Sequence, residues 1–211
     1  MIEKELLLTA RENLPEHLRV LADKYPATSW QTHPNFSDLA SFWLERHSMF
    51  RELIKRIKEL SLSKIDNRET ERFEAEFSRY SGFFLQQLHG HHTIEDQHFF
   101  PQFSKLDPRL DRAFEILDSD HEELHFYINE FGQKTNLVLM NGQDKDQARD
   151  NINHLFETHV NFEKFLHRHL TDEEEIIVPL ILEYDPDLRH WSGDDITDPK
   201  QLAPSPRECP R

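Results

Sequence analysis

Histidine and glutamate recur along this chain at spacings that gather imidazole and carboxylate at one place. His47 and His91 are 44 residues apart, and so are His125 and His169. The offset between the two pairs is 78, and the same offset carries Glu95 onto Glu173 and Pro101 onto Pro179. The local strings are HHTIEDQHFFP and HLTDEEEIIVP. Residues four apart on a helix share a face. His91 therefore joins Glu95, His121 joins His125, and His169 joins Glu173, while His47 adds a single group. Five imidazoles and two carboxylates at one level of an apolar core are costly unless something satisfies them. A metal centre does so.

The donor count bears on the chemistry. Two octahedral ions offer about a dozen positions. Two bridging carboxylates, one bridging oxygen and five imidazoles fill all but one of them. The repeat also shows where asymmetry arises, because His121 maps by 78 onto Trp43, which cannot ligate. One ion then takes His121, His125 and His169, and the other takes His47 and His91 and keeps the vacancy. Imidazole with carboxylate suits iron, although zinc, manganese and copper accept the same donors. His89 and His167 obey the same offset, but each lies six residues before its Glu, about 240° away around the helix. They read as exposed or outer residues, as do His92 and His98. Trp43, Phe50, Leu88, Phe99, Leu117 and Phe165 lie within a turn of a donor. They could form a dry pocket over the open position, and core packing also accounts for most of them.

Four helices must position these groups, and apolar periodicity supplies them. The first carries Leu39, Phe42, Trp43, Phe50, Leu53, Ile54, Ile57 and Leu60, with Asn35 or Ser37 as its cap. The second runs from Phe73 towards Phe99, the third from Leu110 to Leu137, and the fourth from Ile152 to Ile181. Residues level on antiparallel neighbours are equidistant from the turn between them. The midpoint of 47 and 91 is 69, inside a polar break. That of 125 and 169 is 147, at the edge of NGQDKD. The centres of 91/95 and of 121/125 meet at Pro108.

The fold expected is all-α, an antiparallel up-down-up-down four-helix bundle with an extra N-terminal helix and a loose C-terminal tail. The N-terminal helix is read from Leu7, Leu14, Leu18, Leu21 and Tyr25, with Pro15 weakening it. The division is 1–34 for that helix and a connector, 35–186 for the bundle, and 187–211 for a Pro- and Asp-rich tail expected to be disordered.

Composition excludes several classes. The 40 acidic against 25 basic residues give a net charge of −15, unsuited to phosphate backbones or a polybasic membrane anchor. No apolar run is long enough for a membrane helix, and the N-terminus lacks a signal-peptide layout. One cysteine, Cys209, leaves neither a disulfide framework nor a thiolate cage. A cytoplasmic protein without nucleic-acid or membrane partners is expected. Only 5 glycines argue against an all-β fold, whereas 16 phenylalanines suit a bundle core and 14 histidines exceed what packing needs.

The set His47, His91-x-x-x-Glu95, His121-x-x-x-His125 and His169-x-x-x-Glu173, with the FFP and IVP endings, resembles the hemerythrin-like, HHE cation-binding family over roughly residues 36 to 183. The resemblance implies a four-helix bundle around an oxo-bridged centre of two Fe ions, non-haem, that binds O2 or a related small ligand. Family members are also linked to sensing of oxygen, nitric oxide or iron, to enzymatic peroxide breakdown, and to iron storage or donation. Carrier hemerythrins place an Asp five residues after the last His. Here that position is Glu174, and the 78-residue offset favours Glu173 instead.

Overall fold

The computed structural model describes residues 2–140 and 145–188. Four long helices make the frame: α1 (Asp38–Ile65), α2 (Phe73–Ile94), α4 (Asp111–Met140) and α5 (Lys145–Leu188). A π-turn over Glu95–Phe99 follows α2 and leads into the short α3 (Phe100–Leu106). No described helix is long and apolar enough to cross a membrane.

Cross-helix partners fix the directions. On α1, Arg51 pairs with Glu174 and Lys58 with Glu163, so numbers rise on one helix as they fall on α5. Arg56 meets Glu76 while His47 meets His91, which sets α2 antiparallel to α1. Phe84 meets Phe131 and His92 meets His121, and Lys134 meets Thr158 while His121 meets His169. Each helix therefore runs against both of its neighbours, as the periodicity predicts.

The turns are built from local chemistry. α1 ends in a Schellman motif: the Arg68 amide donates to Ser63 O at 2.8 Å and the Asn67 amide to Lys64 O at 3.1 Å. Asn67 carries the left-handed φ of 53° that the motif requires, a role asparagine tolerates where this chain has no glycine. Between α3 and α4, the Asp107 carboxylate accepts from the Arg109 amide at 3.1 Å, which is the turn that Asp107-Pro108 announces. Ser37 occupies the N-cap position of α1 without a side-chain cap bond. Asn35 instead donates to Leu182 O at 2.8 Å and ties the connector to α5.

The expected N-terminal helix is not one helix. Residues before α1 form 3₁₀ turns at Lys4–Leu6, Glu16–Leu18 and Ala27–Thr32. Pro15 and Pro26 interrupt the hydrogen-bond ladder that a single helix needs. The apolar pattern still reports burial, because Leu14, Leu18, Leu21 and Tyr25 all pack into the core. The segment is thus a strap laid along the bundle. The tail expected over 187–211 lies outside the described residues, save that α5 continues to Leu188. Residues 141–144 of the NGQDKD break lie outside them too.

The core is split in two by a polar level. One cluster holds Trp43, Phe99, Leu117 and Ile176, and the other holds Phe50, Leu88, Leu124 and Leu170. At or within a residue of that boundary each long helix, α2 with its following π-turn, carries its candidate donors. Deeper in the second cluster sits His159, fully buried against Phe131. Burial lowers its pKa from 6.5 to about 4. Unfolded chains protonate this residue near 6.5 and the folded one only near 4, so its contribution is complete above pH 6.5 and is lost as pH falls towards 4. Between pH 7 and 4.5 the loss is about 2–3 kcal/mol. His159→Leu is expected to flatten the pH dependence of urea stability by that amount, and an unchanged slope contradicts it.

Candidate metal centre

Two donor sets lie at the polar level. In the first, His47, His91, Glu95 and Glu173 place one ligand atom each within 4.8 Å of one another. In the second, His92, His121 and His169 do the same. The carboxylates stand between the sets. Glu95 Oε1 is 2.9 Å from His91 Nε2, and its Oε2 is 3.7 Å from His121 Nε2. Glu173 Oε2 is 3.5 Å from His47 Nε2 and 3.4 Å from His169 Nε2.

The outer faces of three imidazoles are held by carboxylates. His121 Nδ1 donates to Asp96 Oδ1 at 2.5 Å, His47 Nδ1 to Glu174 Oε1 at 3.0 Å, and His169 Nδ1 to Asp120 Oδ2 at 3.3 Å. A ring that spends its proton on Nδ1 points a lone pair from Nε2. His121 and His169 bring their Nε2 atoms to 3.0 Å of each other, and His47 and His91 to 3.1 Å. Two lone pairs at that distance repel unless a proton or a metal ion lies between them. Two nitrogens held cis on one ion at about 2.1 Å each stand about 3 Å apart. Both oxygens of Glu95, Glu173 Oε2, both nitrogens of His92 and His125 Nε2 are buried without a well-aligned hydrogen bond. Buried polar atoms of that kind call for an explanation, and a bound cation is one. The residues present therefore fit a metal centre.

The electrostatics agree. Burial and the charge of Glu173 raise the pKa of Glu95 well above the usual carboxylate range. Burial also opposes ionisation of Glu173, but the charge of His47 and the hydrogen bond from His169 hold its pKa low. Burial works against a charge on His169 as well, yet its bonds to Asp120 and Glu173 lift it to about 9, so a metal ion taken up there displaces the proton from its Nε2. Burial, with neighbouring imidazoles, lowers His91 and His92 well below 6.5 and so keeps them neutral, ready to bind a metal.

Local sequence explains the placement on α2. Pro101 cannot donate to Gln97, and the π-turn immediately precedes it. Such turns add a residue to the helical register and recur at functional sites. Asp96, within the turn, reaches His121, and Phe100 stacks on the same ring at 5.3 Å. The repeat is imperfect here, because α5 runs unbroken through Pro179.

Six of the seven residues expected from the sequence fall into the two sets. His125 does not; its ring lies 6.0 Å from His92 and 5.1 Å from the exposed His89. His92 takes its place beside His121, stacked at 4.2 Å and fully buried. Its spacings of three from Glu95 and four from Asp96 are the sequence signals that mark it. His98 is exposed and His167 half-buried. Glu174 lies behind His47, where Arg51 holds it at 2.6 Å. Of the expected pocket, Trp43 packs on Phe99 at 5.0 Å and donates from Nε1 to Glu173 Oε1 at 2.8 Å. Phe50 lies 5.0 Å from His91. Leu88 and Leu117 are fully buried on opposite sides of the polar level, and Phe165 packs on Tyr127 at 5.2 Å.

A family model described as "Hemerythrin HHE cation binding domain" matches residues 38–186. An arginine–tRNA ligase of Methanocaldococcus jannaschii is 32% identical over 98 residues, which is 44% of this chain. The match spans 17% of that ligase's length. No solved structure matches.

Proposed function

Since the chain belongs to the hemerythrin HHE cation-binding family, we propose that it binds two iron ions, one in each donor set, and uses them to bind or sense O2 or a related small molecule. The facing Nε2 atoms of His47 and His91 and of His121 and His169, with the outer nitrogens of His47, His121 and His169 already committed to carboxylates, are the observation that carries this reading. His47 and His91 would hold one ion and His92, His121 and His169 the other, with Glu95 and Glu173 reaching both. Iron held there would supply a redox-active Lewis acid able to take up a small ligand. The chain supplies the rest. Three carboxylates orient the imidazoles. Trp43 fixes one oxygen of Glu173, and Trp43, Phe50 and Phe99 exclude water from the His47 side.

Two comparisons test this arrangement. His125 is the alternative third nitrogen of the second set, favoured by the buried, unbonded Nε2 it also presents. His92→Ala is expected to lower iron per chain measured by mass spectrometry, and His125→Ala to leave it near the wild-type value. The reverse order assigns the donor to His125. Trp43→Ala is expected to retain iron and to oxidise severalfold faster in air from the ferrous form, with Trp43→Phe intermediate. Equal rates in all three proteins remove Trp43 from the pocket.

A further inference from the structure

The strap before α1 lies outside the family match, which begins at residue 38, yet it reaches the metal centre. Arg11 stands between α4 and α5 with 7% of its surface exposed. Its guanidinium takes both oxygens of Asp120, Nη1 donating to Oδ1 at 2.8 Å and Nη2 to Oδ2. Its Nε donates to Asp172 Oδ2 at 2.9 Å. The strap completes the socket. Nη1 also donates to Leu6 O at 2.8 Å, the Leu14 amide donates to Asp172 Oδ1 at 3.2 Å, and Arg168 of α5 donates to the Glu12 carbonyl. Asp120 Oδ2, the oxygen that accepts from Nη2, also meets His169 Nδ1. A continuous line thus runs from the strap through Arg11 and Asp120 to His169 and the second donor set. The first set has the same layout in Arg51, Glu174 and His47, but there the arginine belongs to α1.

We propose that Arg11 is a positioning residue for the second metal ion: it locks Asp120 against His169, so the N-terminal strap controls how firmly that ion is held. This rests on the reading above that the second set holds metal. A bidentate guanidinium fixes the plane of a carboxylate, which a lysine ammonium does not. A carboxylate on the outer nitrogen fixes the ring and strengthens it as a donor, and losing such a partner lowers metal affinity about 10–100-fold. Arg11 also neutralises Asp120 where water does not reach.

The test uses the iron-loaded full chain as wild type, Arg11→Lys, Asp120→Asn and the Arg11→Met/Asp120→Asn double variant. In the double variant Arg168 still pairs with Asp172, at 2.6 Å, so no buried carboxylate is left bare. Iron loss to a chelator and the optical spectrum of the bound ferric form are the readouts. Arg11→Lys and Asp120→Asn are each expected to release one ion about 10–100-fold faster and to shift the spectrum. The double variant is expected to release it no faster than Asp120→Asn alone. Lys24→Gln, which cuts a strap contact to Glu183 further along α5, is expected to change neither readout. Wild-type rate and spectrum in Arg11→Lys, or effects that multiply in the double variant, overturn the inference. A wild type that takes up no iron overturns the metal reading beneath it instead.

Discussion

Replacing His169 by alanine is expected to remove most of the iron from one donor set and to leave the other partly filled. His169 Nε2 faces His121 Nε2 at 3.0 Å and Glu173 Oε2 at 3.4 Å, so the change strips a nitrogen and loosens a shared carboxylate together. His121→Ala acts on the same ion from α4 and is expected to match it. Removing a donor outright costs more than the 10–100-fold typical of an outer partner. Iron per chain by mass spectrometry, with helicity by circular dichroism as the folding control, checks the pair. Wild-type iron in both folded variants contradicts the assignment.

Metal removal is the second large effect. The polar level places Glu95, Glu173, His47, His92, His121 and His169 in the core, all nearly or fully inaccessible to water. Without a cation they keep their desolvation penalty and lose its compensation. Free metal at about a thousand times its dissociation constant stabilises the folded state by about 4 kcal/mol. For a chain of this length that is a rise in Tm of roughly 8–16 °C. Calorimetry of the metal-free and iron-loaded chain checks it. Coincident transitions contradict a buried centre.

Much of this was legible because helices report themselves through period and turns through composition. Trp43 and Phe50, which the sequence places within a turn of His47, fall in the two different apolar clusters on either side of it. The midpoints at 69 and Pro108 put His47, His91, Glu95 and His121 at one level, where the structure also has them, and the 78-residue offset favours Glu173 over Glu174. What stayed hidden lay off the helical period. His92 is next to His91, about 100° further round an ideal helix, and its i, i+4 residue, Asp96, turns to His121 instead of completing a donor pair with it. Its burial is visible only once α2 is packed on α4 and α5 and the π-turn follows it. Arg11 and Asp120 are 109 residues apart, and one lies on a strap of 3₁₀ turns, so no periodicity links them. The carboxylates behind the imidazoles were masked by a surface acidic throughout.

Anaerobic loading with ferrous iron tests the central claim most directly. Iron is counted per chain, and the optical spectrum is followed as O2 is admitted and then removed. Two irons per chain and a spectral change that reverses when O2 is withdrawn are the expected result. Two irons with irreversible oxidation would assign the site to peroxide, nitric oxide or iron-handling chemistry. A chain that folds but takes up no iron would contradict the metal centre itself.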